Sequence, residues 1–160
     1  MKSLVKVFLS AIVITFIFSS CATQHVAMPK GPDRGLFVGT WTVTSVTYTN
    51  LIEGAVTSAF DAAPPKDFIG SKWELTNSGN GSYTLANGAK QDIYWSVNSG
   101  DALGAIFQFK KINAGQSAKD VTTGYQLVVS NNLGTTMILK TLVYLGNKNG
   151  YVVYSFTKDK

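Results

Sequence analysis

The stretch SKWELTNSGNGSYTLA (Ser71–Ala86) decides how the rest of the chain is read. Trp73 and Leu75 fall on one side of it and Lys72 and Glu74 on the other. That period of two marks a strand with one buried face. NSGNG (Asn77–Gly81) supplies residues that tolerate a tight reversal, after which Tyr83 and Leu85 resume the alternation. The two runs make an antiparallel hairpin. Because the glycines join strands and open no helix, SGNGS is a turn rather than a phosphate cradle.

The same pattern extends in both directions. Phe37–Thr49 is dense in threonine and valine; Ile93, Trp95 and Val97 alternate with Tyr94 and Ser96; Phe107 and Phe109 alternate with Gln108 and Lys110. Tyr125, Leu127 and Val129 follow, then Met137 to Val143, and last Tyr151–Thr157. Eight strands are predicted, without a convincing amphipathic helix. Short turns between them suggest an antiparallel meander, and closing it into a barrel removes two bare hydrogen-bonding edges. The expected fold is therefore all-β, a single up-and-down barrel of eight antiparallel strands. A two-sheet sandwich uses the same alternation.

The connections are unequal. The first, Asn50–Gly70, and the fifth, Asn113–Thr122, are the longest, and in a meander both fall at one end. A barrel with one tightly stitched end and one end carrying flaps has a mouth. The inward positions are Trp73, Leu75, Tyr83, Trp95, Phe107, Phe109, Tyr125 and Leu127, which either fill the barrel or line a ligand slot. Phe60-Asp61-Ala62-Ala63-Pro64-Pro65 lies in the longest flap, where its prolines favour a stiff lid over the mouth.

The chain's one cysteine, Cys21, ends a different kind of segment. Met1-Lys2-Ser3 and Lys6 precede an apolar run, Val7–Phe18, and then Ser19-Ser20. A basic start, a short apolar core and small residues are the parts of an export signal. The run, at roughly 12 residues, falls short of the ~20 that span a bilayer. With the cysteine placed after the small residues, the segment resembles the lipobox of bacterial lipoproteins. The resemblance implies a signal peptide over 1–20, a diacylglyceryl group on Cys21, and a mature chain held to a membrane by its first residue. Residues 21–35, with Pro29, Gly31, Pro32 and Gly35, read as a tether, and the barrel domain as 36–160. His25 lies in the tether with no fixed partner. Ala22 and Thr23 after the cysteine resemble lipoproteins sent to the outer membrane.

Loss of the signal leaves 12 basic against 9 acidic side chains, a net charge of about +3. The lysines are scattered, with only Lys110-Lys111 adjacent, so no nucleic-acid footprint forms. A lone cysteine at the anchor leaves no disulfide and no thiolate metal site. The one histidine sits in the tether, and Asp61, Asp67, Asp92, Asp101 and Asp120 fall in or beside turns, where aspartate bonds the backbone. No nucleophile–base pair and no Gly-x-Ser-x-Gly elbow emerges, so neither catalysis nor a cofactor is expected.

Gly39-Thr40-Trp41 resembles the Gly-x-Trp signature of lipocalins. Phe60–Leu85, containing Phe-x-Gly-Ser-x-Trp (Phe68–Trp73), and the ending YVVYSFTK resemble the lipocalin-like domain of bacterial envelope lipoproteins, over roughly 36–160. That resemblance implies a calyx for a small hydrophobic ligand, with Gly39 and Trp41 as structural signature. The arginine that covers the tryptophan in lipocalins is missing here; Lys158, or Arg34 from below, is the available cation. Two functions are expected on these grounds. One is a membrane-anchored binder of a small hydrophobic molecule; the alternative is an envelope interaction protein with a filled barrel and a protein partner.

The anchor has a direct check. Cys21→Ser should abolish incorporation of radiolabelled palmitate and release the protein from membranes; unchanged fractionation would refute lipidation.

Overall fold

Each alternating strand has one apolar face, and such faces are buried together when the sheet curls around them. The computed structural model describes residues 32–99, 104–146 and 148–160. The signal segment, Cys21, His25, the tether as far as residue 31, and Asp101 lie outside the described residues. The strands are β1 (Gly39–Thr49), β2 (Lys72–Leu75), β3 (Asn80–Thr84), β4 (Lys90–Asn98), β5 (Ile106–Ile112), β6 (Tyr125–Asn132), β7 (Thr136–Leu145) and β8 (Lys148–Lys158). Each pairs antiparallel with its neighbours in chain order, and β8 returns to β1, closing the barrel. Among the described residues no helix is long and apolar enough to cross a membrane.

β1 serves both sides of the closure. Gly39–Thr42 pair with β2, and Trp41–Thr49 pair with β8 from Lys158 to Tyr151. A register shift between Val43 and Ser45 changes which side chains face inward. Trp41 and Val43 are buried before it and Val46 after it, with Thr44 and Thr47 exposed. Simple alternation would have turned Val46 out; the extra residue of a bulge turns it in. A second shift, between Val129 and Asn131, bends β6.

The first strand is shorter than its sequence suggests. Arg34–Phe37 form a 3-10 turn, capped by Asp33 Oδ1, which accepts from Gly35 N at 2.9 Å. The turn carries Phe37 under the barrel, where its ring stacks on Phe107 at 5.9 Å and tilts against Trp95 at 6.3 Å. The turn thus begins within the stretch read as tether, at Arg34 and Gly35. Trp41 is fully buried, and its indole N–H donates to Phe37 O at 2.8 Å. The 3-10 turn takes Phe37 out of the ladder and leaves its carbonyl to the indole.

Two cations cover two indoles. Lys158 Nζ lies 5.3 Å from the Trp41 ring centroid, and Arg34 Cζ 4.3 Å from that of Trp95. Arg34 therefore serves Trp95 and not Trp41. Gly39, at φ +134°, leaves room for the Lys158 stem, which a side chain there would strike. The Gly-x-Trp spacing thus has a mechanical reason in this chain: the glycine admits the lysine that covers the tryptophan.

Trp41→Ala should lower the unfolding free energy by about 3–5 kcal/mol, as expected for a buried large aromatic, measured by urea denaturation. A loss under about 1 kcal/mol, the scale of surface substitutions, would contradict its burial in the core.

Candidate functional site

The inward residues singled out from the sequence do converge in the barrel interior, spread over both of its ends. Trp95 and Phe107 lie at the base, against Phe37. Leu75 is there too, at the end of β2 that turns into β3. Trp73, Tyr83, Phe109 and Tyr125 form the upper half. Trp73 and Tyr83 sit opposite each other on β2 and β3 and stack at 5.0 Å; Phe109 and Tyr125 sit opposite on β5 and β6 at 5.1 Å. Leu127 lies across from Phe107. All except the half-buried Tyr125 are at most 3% exposed. A void wide enough for water would leave accessible surface on the side chains lining it. Trp95 and Phe107 have none, and Phe109 and Leu127 have 1%. The interior is packed like a core.

The mouth is stopped by a residue of the long first loop. Ala59 N donates to Ala63 O at 2.8 Å and Ala62 N to Ala59 O at 3.1 Å, making a tight turn that projects Phe60 inward. Its ring lies 5.2 Å from Phe68, 5.1 Å from Phe109, 5.6 Å from Tyr125 and 5.5 Å from Tyr154. Phe68, fully buried, arrives on the 3-10 turn Pro65–Phe68, which Pro65 starts with its fixed φ. Phe60 and Asp61 both have left-handed backbone, φ +55° and +48°. For non-glycine residues this costs on the order of 1 kcal/mol or more each. Burying the Phe60 ring offsets it by roughly 1.5–3 kcal/mol. Polar contacts at the rim hold the turn down. Lys111 Nζ donates to the carbonyls of Phe60 and Asp61 at 3.2 and 3.0 Å, and the Tyr125 hydroxyl donates to Asp61 Oδ2 at 2.9 Å.

Sequence pattern pointed to a lid at Phe60–Pro65 but gave no role to Phe60 as its plug, or to Tyr154 beneath it. The available signal was a pair of large aromatics, Phe60 and Phe68, on either side of Asp-Ala-Ala-Pro-Pro in the longest connection.

Burial perturbs the interior phenols. Desolvation raises Tyr154 far above the usual tyrosine range, and its hydroxyl, beside Thr141, lies outside a well-formed hydrogen bond; neither oxygen has a partner. Tyr125 is pushed up to about 12, by burial first and by its bond to Asp61 second. Burial also raises Tyr83.

A separate hollow lies on the outside. A groove of about 880 Å³ runs over β4, β5 and β6 under the loop that follows β5, and Tyr94, Ser96, Gln108 and Gln126 are among the residues lining it. Among the described residues no group of three or more histidine, cysteine, aspartate or glutamate side chains could hold a metal ion. No protein-family model matches the chain, and no curated protein matches it significantly.

The raised phenols set the alkaline limit. Folded pKa values above the unfolded value near 10 mean that the native state holds its protons longer, so their contribution is complete below pH ~10 and is lost as pH rises through about 12. Phenolate absorbance should show late-titrating tyrosines whose ionisation coincides with unfolding. Tyrosines that all ionise near pH 10 in a folded protein would contradict the packing.

Proposed function

We propose that the chain is a lipid-anchored, lipocalin-like protein of the bacterial cell envelope, attached through Cys21, whose barrel is filled and which acts without catalysis through its outer surface. The Phe60 plug carries this reading. With that ring seated among Phe68, Phe109, Tyr125 and Tyr154, the space that a calyx would give to a ligand is occupied by the protein's own side chains. The leader supports the envelope and the outer membrane as the place of action.

One pair of groups favours a second reading, a gated binder of a small hydrophobic molecule. The buried hydroxyls of Tyr154 and Thr141 lack hydrogen-bond partners, and such groups usually find one. A ligand with a polar head, entering after the Phe60 turn lifts, would supply it.

Fluorescence of cis-parinaric acid separates the two. The filled barrel takes up none at micromolar concentration, whereas Phe60→Ala, which opens a space beside Tyr154, does. Saturable uptake by the unsubstituted protein would overturn the filled-barrel reading in favour of the gated one.

A further inference from the structure

Ring closure gives every strand a neighbour on each side, which leaves a peptide little edge to join as another strand. A partner of the outer surface must be held by side chains. On β3–β6 two cross-strand rows lie next to each other: Asn80, Tyr94 and Lys110, and Ser96, Gln108 and Gln126. The loop after β5 folds back over them, and the open groove's volume of about 880 Å³ is in the range of small-molecule sites, ~300–1,000 Å³. Hydrogen bonds build this roof. Lys110 Nζ donates to Ala118 O at 3.2 Å, Ser117 N to Asp120 Oδ2 at 3.1 Å, and Asn113 N to Gln116 Oε1 at 3.1 Å.

The lining selects a ligand class. Gln108 Nε2 donates to Ser96 Oγ at 2.8 Å, which fixes the amide and leaves its carbonyl oxygen and second N–H for another partner. Gln126 and Asn80 add two more amides. An amide donates and accepts in one plane, which suits neighbouring hydroxyls. Tyr94 lies against Gly79, where an added Cβ would come within 2.9 Å of its ring, and 38% of its surface stays exposed. A held aromatic face stacks on the C–H face of a pyranose. An apolar ligand would strand the amides, and a compact phosphate would engage few of them. The charged side chains in the lining, Lys110 and Lys119, are both positive. Lys110 is committed to the roof, which leaves Lys119 to meet an anionic substituent.

We infer that this groove binds a short saccharide, with one ring on Tyr94, hydroxyls on Gln108 and Gln126, and an acidic group towards Lys119. The inference rests on the outer-surface reading and names its ligand class.

Fluorophore-labelled chitotetraose, which is neutral, and tetragalacturonate, which is acidic, test it by anisotropy with the full-length protein in detergent. Both should bind saturably, the acidic one more tightly, with its advantage lost in high salt. Tyr94→Ala and Gln108→Leu should each weaken binding by about tenfold, the effect of removing one central contact, without a change in melting temperature. Lys119→Glu, on the exposed loop, should weaken the acidic probe alone. No binding of either probe up to about 10 mM, weaker than any useful affinity, overturns the inference. Undiminished binding by both the Tyr94 and Gln108 variants, or equal affinity for the two probes, overturns the site as assigned. Parinaric acid uptake by the unsubstituted protein would instead remove the filled-barrel reading and leave the saccharide result standing.

Discussion

Everything in this barrel depends on β1 having a partner on each side. A strand at the end of a sheet exposes a row of unpaired N–H and C=O groups, and a meander has two such ends. Here the first and last strands satisfy each other from Trp41↔Lys158 to Thr49↔Tyr151. The same pairing brings Lys158 onto the Trp41 indole. Closure also decides what happens inside, because a ring of eight strands has an interior just wide enough for side chains or one small ligand.

The interior is filled by aromatics from three sources. The strands supply Trp73, Tyr83, Trp95, Phe107, Phe109 and Tyr154; the turn before β1 supplies Phe37 from below; the loop after β1 supplies Phe60 and Phe68 from above. The flanking segments thus act as two stoppers, one at each end. Their energetics differ. Phe37 is tied in by the indole hydrogen bond beside it, whereas Phe60 is held in left-handed backbone and secured by polar contacts at the rim. Strain and exposed bonds make the upper stopper the weaker of the two. If the barrel opens, it opens there.

Most of the fold was legible in the chain because alternation is a local signal. Lys72-Trp73-Glu74-Leu75 carries its own answer, and the positions of the other strands follow the same reasoning. The misjudged details depend on contacts that no periodicity announces. Nothing within Phe37-Val38-Gly39 announces that the Phe37 carbonyl will meet the Trp41 indole, and no composition marks the bulge that turns Val46 inward. Arg34 could be named as a cation for an indole, but its choice of Trp95 over Trp41 depends on how the turn docks. The outer groove was invisible for a related reason. Tyr94, Gln108 and Gln126 lie on separate strands, each in an ordinary outward position, and only the register of β4, β5 and β6 sets them side by side.

The claim on which function turns is that the barrel is stopped by its own loop. Nuclear Overhauser contacts from the Phe60 ring protons in solution test it most directly. The account predicts contacts to the rings of Phe109, Tyr125 and Tyr154. A Phe60 ring with contacts only to its own loop, and with those three rings facing solvent or a bound molecule, would contradict it.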